Sequence, residues 1–264
     1  VTFTGCGVVT VVPIGEEASY TGKQEFDSAA ESQGDWGAVV ADISDKAQDL
    51  SELLNGDGIT ETIAVKHNIP VAIFSLEMSS EQLINRVISQ NSMVSSQKIR
   101  IGDLSDSEWE NIVESANVIG NSGIIIDDTP GISIGEMRSK CRKFKLEKDI
   151  QLVIVDYLQL MTTNTPHGSR EQEIAEISRT LKGIARELNV PVIALSQLNR
   201  ASETREDRKP IMADLRESGS IEQDADIVMF LYRDAYYNKD SPTPNISECI
   251  VAKNRHGETS TVPL

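Results

Sequence analysis

The sequence is poor in cysteine, in aromatic residues and in long apolar runs. Its three cysteines, Cys6, Cys141 and Cys249, are odd in number and far apart, which argues against a disulfide framework or a zinc site and indicates a reducing compartment. No stretch approaches the roughly 18 uninterrupted apolar residues that a membrane helix needs. We therefore expect a soluble, cytoplasmic protein without a membrane partner.

Basic residues are also scarce, with 25 Lys and Arg against 41 Asp and Glu and a net charge of −16. Residues 1–63 hold 12 of the acidic and only 2 of the basic side chains, so much of the acidity lies in the first quarter of the chain. An acidic total can coexist with a locally basic surface, so the charge neither favours nor excludes nucleic acid as a partner.

From residue 64 onward, short β-branched runs alternate with longer amphipathic stretches, the pattern of a parallel sheet with crossover helices. The predicted strands are 71–78, 123–128, 151–161, 190–197, 226–233 and 247–254. The predicted helices are 79–90, 105–120, 133–148 and 171–189. Most of the strands are apolar almost throughout, as expected of strands covered on both faces. The pattern predicts a doubly wound α/β domain with a mainly parallel sheet and flanking helices.

Residues 1–63 differ in kind. "CGVVTVVPI" could be a strand, and residues 42–54 place apolar side chains on one helical face. Between and after these two segments lie Gly-, Ser- and Asp-rich pieces, of which "NGDG" at 55–58 predicts a turn. We interpret residues 1–63 as a divergent acidic segment of unknown role and residues 64–264 as one domain.

Polar side chains follow three of the predicted strands. Asp156 ends "LVIVD", Glu77 follows "VAIFSL", and Gln197 follows "VPVIALS". Because parallel strands end at the same edge of a sheet, we expect these three side chains to meet there. One carboxylate could accept a proton from water, a second could hold Mg²⁺, and an amide could contact a phosphate. Alternatively, Glu77 caps the following helix.

Six segments, in this order and spacing, resemble the C-terminal motor domain of replicative DNA helicases of the DnaB family. They are "VAIFSLEMSSEQL", "IDDTPGISIGEMRSKCRKFK", "LVIVDYLQLM", "EISRTLKGIARELNVPVIALSQLNR", "DLRESGSIEQDADIVMFLYRD" and "AKNRHG". The resemblance covers residues 64–264 and implies a RecA-like fold. It also implies a homohexameric ring that uses ATP and Mg²⁺ to move 5′ to 3′ along single-stranded DNA. Primase and a helicase loader are partners by the same resemblance.

The resemblance also assigns roles to residues at the predicted site. Glu77 corresponds to the catalytic glutamate, Asp156 to the metal-binding aspartate, and Gln197 to the glutamine that couples the nucleotide to DNA. Lys253 and Arg255 correspond to a basic pair that enters the neighbouring subunit's active site, where such a cation stabilises charge on the transferring phosphoryl group. The alternative is a solvated basic strand end.

Two further sets of residues complete the candidate site. Arg233, at the end of the strand 226–233, is a candidate nucleotide contact. Arg216, Glu217 and Gly219 match the loop by which the family contacts the DNA backbone, largely through main-chain amides. Amide donors do not read base identity, and a glycine lets the backbone approach phosphate closely. An ordinary surface loop could have the same composition.

A phosphate-binding loop of the form G-x-x-x-x-G-K-[ST] does not occur in the sequence. The one Gly-Lys pair is Gly22-Lys23, where Glu17 replaces the first glycine and Gln24 replaces the hydroxyl residue. Glu17 would put negative charge beside a polyphosphate, and Gln24 is a poor substitute for a hydroxyl on Mg²⁺. Lys23 is therefore kept only as a candidate phosphate contact.

Two alternatives remain open at this point. The chain could be a non-catalytic relative, or an aberrant one, that keeps the ring-forming and DNA-facing surfaces without binding nucleotide. It could also be a recombinase or a circadian-clock ATPase of the RecA type, although the segments "RESGSIEQDAD" and "AKNRHG" favour the helicase. The match stops at "TVPL", where the family usually continues, so we expect the domain to be truncated there.

Overall fold

The structure is a computed structural model. It describes residues 6–12, 61–164, 168–199, 205, 208–255 and 257–263, and for residues 6–12, 61–62 and 216–218 it describes the backbone only. Glu17, Lys23, Gln24 and the helix expected over 42–54 lie outside the described residues. The buried cysteines Cys141 and Cys249 are free thiols.

The described strands form one eight-stranded sheet in the order β3-β2-β4-β5-β1-β6-β7-β8. Their bounds are β1 Cys6–Val12, β2 Val71–Ser75, β3 Ile124–Asp127, β4 Leu152–Asp156, β5 Val192–Ser196, β6 Ile227–Tyr232, β7 Glu248–Asn254 and β8 Thr261–Pro263. Strands β3, β2, β4 and β5 are parallel. We name the edge where these four strands end the carboxyl edge and the edge where they begin the amino edge.

Strand β1 runs antiparallel to both of its neighbours, β5 and β6. Strand β6 therefore points in the same direction as β5 and also ends at the carboxyl edge. Strand β7 is antiparallel to β6, and β8 is antiparallel to β7. The sequence correctly predicts a mainly parallel sheet, while the directions of β1 and β7 make it mixed.

The α-helices alternate with the strands as expected. They are α1 Ser80–Ser92, α2 Ser96–Ile101, α3 Asp106–Gly120, α4 Ile134–Lys148, α5 Arg170–Leu188, α6 Gly219–Asp224 and α7 Asp234–Tyr237. A short π-helix covers Glu61–Lys66, and 3-10 helices cover Leu158–Leu160 and Met212–Ser218. Ser79 and Ser105 begin α1 and α3 with capping boxes, completed by Gln82 and Glu108.

Both faces of the sheet are covered by helices. On one face, Phe74, Val153 and Val155 pack with Met137 of α4 and Ile177 of α5. On the other face, residues of β2 and β4 pack with Leu83 of α1 and with Ile63 and Ala64 of the π-helix. Since alternate residues of one strand enter opposite clusters, the strands are buried on both sides, which explains their continuous apolar sequences. The doubly wound arrangement is confirmed.

The predicted strand 151–161 is too long. Strand β4 stops at Asp156, and the apolar residues that follow turn into the 3-10 helix Leu158–Leu160, with Leu158 and Met161 buried in the core. Apolarity alone does not distinguish these two conformations. The helix α2, the short helices α6 and α7 and the strand β8 were also not expected, because segments this short carry little periodic signal.

None of the helices in the described part of the chain combines the length and the apolar composition needed to cross a lipid bilayer.

Candidate active site

The ends of β2 and β4 lie side by side at the carboxyl edge. Ser75 and Asp156 are register partners, and the amide of Leu76 donates to the carbonyl oxygen of Asp156 at 2.8 Å. Asp156 is half-buried, and Glu77, two residues beyond β2, is exposed. The two carboxylates expected at this edge therefore both leave the sheet there.

The turn that carries Glu77 is held from both sides. The Ser75 hydroxyl donates to the carbonyl oxygen of Met78 at 2.8 Å. After the turn, the Ser80 amide donates to the Asp128 carboxylate at 2.8 Å, which ties the first turn of α1 to the end of β3. The cap of α1 is the Ser79 side chain, so the structure does not give the capping role to Glu77.

Tyr157 interacts electrostatically with both carboxylates. Burial raises the pKa of its phenol above the ordinary value, and the negative charges of Glu77 and Asp156 raise it further. A phenol whose ionisation is opposed by two acids lies in a locally negative environment. That environment favours a divalent cation at this edge.

Gln159 joins the end of β4 to the end of β5. Its Nε2 donates to the Ser196 hydroxyl at 2.7 Å and to the Gln197 carbonyl oxygen at 3.2 Å. Its Oε1 accepts from the Gln197 amide at 3.2 Å. These contacts fix the backbone from which the exposed Gln197 side chain leaves the sheet. Sequence reasoning missed Gln159, although a polar residue between two leucines in "DYLQLM" was the signal for it.

Arg170, in the first turn of α5, supports this segment. Its Nη2 donates to the carbonyl oxygens of Gln159 at 2.5 Å and Met161 at 3.1 Å, and its Nη1 bonds to the Glu173 carboxylate. The 3-10 helix after Asp156 is thus anchored to α5. Its position is set by the core and by charge-assisted hydrogen bonds.

The donor set at the carboxyl edge suits Mg²⁺. Magnesium usually takes one or two protein carboxylates, with water and phosphate oxygens as the remaining ligands. Among the residues that the structure describes, no group of three or more His, Cys, Asp or Glu could hold a metal ion by itself. Asp156 alone fits a metal that is shared with a nucleotide, and it does not fit a closed structural site.

Among the described residues, no phosphate-binding loop lies at the carboxyl edge. Strand β1 precedes Gly22-Lys23, but Val12, its last residue, pairs with Val192, the first residue of β5. Strand β1 therefore ends at the amino edge, away from Asp156. A phosphate-binding loop directly follows its strand at the carboxyl edge, so the direction of β1 weighs against Lys23, which stays a prediction.

Arg233 follows β6 at the carboxyl edge, where a nucleotide contact is possible. Its Nη2 donates to the carbonyl oxygen of Pro244 at 3.1 Å. Strand β1 and strand β5 separate it from Asp156 in the sheet. The fold therefore places Arg233 at the carboxyl edge, with two strands between it and the strand that carries Asp156.

Lys253 and Arg255 lie at the end of β7, four strands from β4. Lys253 pairs with Val228, the second residue of β6, and Arg255 follows β7 with its amide donating to the Asp226 carbonyl oxygen at 2.9 Å. The strand spacings put this pair on the order of 20 Å from Asp156. The basic pair and the carboxylates of one chain do not form a single site.

The segment expected to face DNA runs from the 3-10 helix Met212–Ser218 into α6. The backbones of Arg216 and Glu217 lie in the 3-10 helix, and the exposed Gly219 begins α6. Near its start, the Asn199 amide donates to the Asp214 carbonyl oxygen at 3.2 Å. Since Asn199 is two residues after Gln197, a short stretch of chain links this segment to the carboxyl edge.

Asp214 fixes the base of the same segment. Its buried carboxylate accepts from Arg205 Nη1 at 2.8 Å and from the Ile211 amide at 2.8 Å. Burial by itself would raise the pKa of Asp214, but the hydrogen bonds and the charge of Arg205 outweigh it and hold the pKa below the ordinary value. The residues before Arg216 are therefore held by an ion pair whose carboxylate is buried.

Comparison with known proteins identifies the relatives of this chain. Residues 56–264 match the family model of the DnaB-like helicase C terminal domain. The chain is 51% identical over 207 residues to replicative DNA helicase DnaB of Geobacillus stearothermophilus, covering 78% of this chain and 46% of that protein. Replicative DNA helicase DnaC of Bacillus subtilis (strain 168) gives the same values. The chain thus spans about half the length of these curated relatives.

Solved structures agree with the sequence comparison. One of them, the structure of an ATPase domain, superposes with a TM-score of 0.76 at 41% identity, covering 79% of this chain and 75% of that one. A DnaB-like replicative helicase, described with its interactions with primase, gives a TM-score of 0.76 at 40% identity, with 81% of this chain and 52% of that one covered. The expected fold of RecA type is therefore confirmed.

Proposed function

The chain belongs to the family of DnaB-like helicase C-terminal domains, and from that premise we propose that it is the ATP-driven motor domain of a replicative DNA helicase. In this proposal it moves 5′ to 3′ on single-stranded DNA as a homohexameric ring in the cytoplasm, and primase and a helicase loader are its partners. The observation that carries the proposal is the convergence of Glu77, Asp156 and Gln197 at the carboxyl edge.

Each of these three side chains has a distinct task. Glu77 is exposed beside a half-buried acid, so it can accept the proton of an attacking water. Asp156 would hold Mg²⁺, which supplies positive charge beside the phosphates when bound. The Gln197 side chain would contact the terminal phosphate, and Gln159 holds its backbone in place.

The positions of Lys253 and Arg255 support assembly. Both lie about 20 Å from Asp156 of their own chain, so they can serve a nucleotide site only if a second copy brings its carboxyl edge to them. A ring of identical copies makes that head-to-tail contact at every interface. In this proposal the basic pair stabilises negative charge on the phosphates bound by the neighbouring copy.

The segment Met212–Ser218 and Gly219 supplies the DNA contact in this proposal. A Cβ added at Gly219 would meet no atom within 4 Å, so the backbone there is open to an approaching strand. Contacts through main-chain amides suit a protein that moves along any sequence. The Arg205–Asp214 ion pair holds the base of the segment while the strand passes.

A second candidate function is a relative that forms the ring and contacts DNA without binding nucleotide. The direction of β1 favours it, because Val12, the last residue of the strand, lies at the amino edge. The absence of a G-x-x-x-x-G-K-[ST] sequence points the same way. The two candidates share the fold and differ only in whether ATP binds.

Thermal unfolding with and without ATP-Mg²⁺ separates them. A ligand that binds only the folded state at 100 times its Kd adds about 2.7 kcal/mol of stability, so the motor should melt at a higher temperature in millimolar ATP-Mg²⁺. Asp156→Asn should lose the part of that increase that depends on Mg²⁺, and ATP with EDTA is the matched control. An unchanged melting temperature in millimolar ATP-Mg²⁺ would leave the second candidate.

A further inference from the structure

Three cations from two distant parts of the chain converge on the C-terminal end of α6. Lys253 Nζ donates to the carbonyl oxygens of Glu222 at 2.5 Å and Ala225 at 2.7 Å. Arg255 Nη2 donates to Gln223 O at 3.0 Å, and Lys182 Nζ to Asp224 O at 2.7 Å. The last carbonyls of a helix have no partner within it and form its negative end, so cations are favoured there.

A buried carboxylate lies at the centre of this cluster. Asp226 Oδ1 accepts from Lys182 Nζ at 2.8 Å and lies 3.2 Å from Arg255 Nη1. The side chains of Lys182 and Asp226 are 13% and 9% exposed, whereas that of Arg255 is 43% exposed. Lys182 is therefore the fixed partner of Asp226, and Arg255 is the partner with access to solvent.

Lys253 is held in the same cluster. Burial lowers the pKa of Lys253, and the positive charges of Arg255 and Lys182 lower it further, against the opposing charges of Asp226 and Glu222. Lys253 thus stays close to the other two cations because the carbonyl oxygens and Asp226 balance their repulsion. Removal of one member should change the position of the others.

Helix α6 connects this cluster to the DNA-facing segment. It has six residues, a length of about 9 Å, and begins at Gly219, two residues after Glu217. Ile221 of α6 is buried in the same cluster as Leu181, the neighbour of Lys182. A segment this short and this well packed is expected to move as one piece.

We infer that Lys182 and Asp226 are positioning residues that hold Lys253 and Arg255 on the C-terminal end of α6, so that displacement of the DNA-facing segment displaces the basic pair. This inference rests on the proposed function, since it assumes that the segment meets DNA and that the pair serves a neighbouring copy. Lys182 keeps Asp226 paired when Arg255 turns towards that neighbour. The basic pair Lys253 and Arg255 then responds to DNA through α6 without contacting the DNA itself.

Hydrogen–deuterium exchange tests the inference, because the Arg255 amide donates to the carbonyl oxygen of Asp226 and its exchange rate reports whether that bond is kept. The exchange rate does not depend on the charge of Lys253. We expect Lys182→Met to accelerate exchange in peptides covering 250–256 about tenfold in the absence of DNA, since a charge-assisted hydrogen bond is lost. Lys182→Arg should restore slow exchange. Arg186→Met removes a cation from an exposed position of the same helix and should match the wild type.

The DNA response is the second arm, with a labelled oligo-dT as the probe. In the wild type, bound oligo-dT should change exchange at 250–256 as well as near 216–219, and in Lys182→Met the change at 250–256 should be lost. The amide of Val153, which donates to Pro191 in the core, is the internal reference for global unfolding. Unaltered exchange at 250–256 in Lys182→Met, with an intact DNA response, would overturn the inference.

The two arms separate failure of the inference from failure of the proposed function. If the wild type does not bind oligo-dT by fluorescence anisotropy, the proposed DNA contact is wrong, and with it the coupling to DNA. The positioning role of Lys182 is still decided by the DNA-free comparison of Lys182→Met, Lys182→Arg and Arg186→Met. If oligo-dT binds and 250–256 does not respond, only the inference fails.

Discussion

Asp156 and Lys253 lie four strands apart in the same sheet, about 20 Å from each other. Asp156 is the last residue of β4, and Lys253 pairs with Val228 near the start of β6. Because β5, β1 and β6 lie between β4 and β7, no rearrangement of side chains within one chain brings the two together. A site that uses both residues needs two copies of the chain.

Mixed oligomers test this requirement. Glu77→Gln and Arg255→Ala should each lack ATP hydrolysis alone, whereas an equal mixture should regain up to about a quarter of the wild-type rate, since random head-to-tail pairing creates some intact interfaces. A mixture of Glu77→Gln with Asp156→Asn is the control, because both changes affect the same side of the interface and no intact site results. Absence of recovery in the first mixture would contradict action across the interface.

Gln159→Leu tests the link between the ends of β4 and β5. The change removes hydrogen bonds to Ser196 and Gln197 and should lower the free energy of unfolding by only about 1 kcal/mol. The rate of DNA-stimulated ATP hydrolysis should nevertheless fall further than this loss of stability explains. Gln151→Leu removes one side-chain hydrogen bond, to Asp149, at the amino edge and is the matched control. Equal rates in the two variants would show that Gln159 has only a structural role.

Gly219→Ala tests close approach of DNA to the backbone. The Gly219 φ of −54° suits alanine, and its added methyl group would meet no neighbour, so the fold should be as stable or slightly more stable, by about 0.5–1 kcal/mol. Gly120→Ala is the control, since that glycine is also open, at the end of α3. Oligo-dT affinity measured by anisotropy should fall for Gly219→Ala alone. Equal affinities would remove Gly219 from the DNA contact.

The Arg205–Asp214 pair predicts a dependence of stability on pH. The folded-state pKa of Asp214 is below its ordinary value, so the pair stabilises the fold above the unfolded pKa of about 4 and loses that contribution as the pH falls through the folded pKa. Asp214→Asn should cost about 3 kcal/mol at pH 7, the order expected when a buried pair is broken. Urea unfolding should show the difference from wild type shrinking below pH 4. A difference in the free energy of unfolding that does not change with pH would show that the charge of Asp214 is not the cause of the stabilisation.

Much of the fold could be predicted because its elements have strong local signals. "LVIVD" and "VPVIALS" are apolar except for their last residues because both faces of their strands are covered, and Ser105 with Glu108 marks the start of α3 directly. The positions of Glu77, Asp156 and Gln197 at the carboxyl edge followed from the same signals, since strand ends in a parallel sheet determine where these residues emerge, while their roles stay predictions. The resemblance to the helicase family was confirmed independently of the fold.

The rest depends on contacts between residues that are far apart in the sequence. The reversed direction of β1 is set by its pairing with β5 and β6, which "CGVVTVV" does not encode locally. Gln159 and Lys182 gained their importance only when the fold brought them to Ser196 and Asp226, 37 and 44 residues away along the chain. The roles assigned to Lys253, Arg255, Arg216 and Glu217 stay predictions.

The most direct test of the account is ATP hydrolysis by the wild-type chain and by Glu77→Gln, each with and without oligo-dT. The account predicts that the wild type hydrolyses ATP in the presence of Mg²⁺, that oligo-dT accelerates the reaction, and that Glu77→Gln abolishes turnover while its melting temperature is unchanged. Equal rates in the two proteins would show that Glu77 is not the base. Hydrolysis in neither, with no effect of nucleotide on melting, would contradict a motor in this chain.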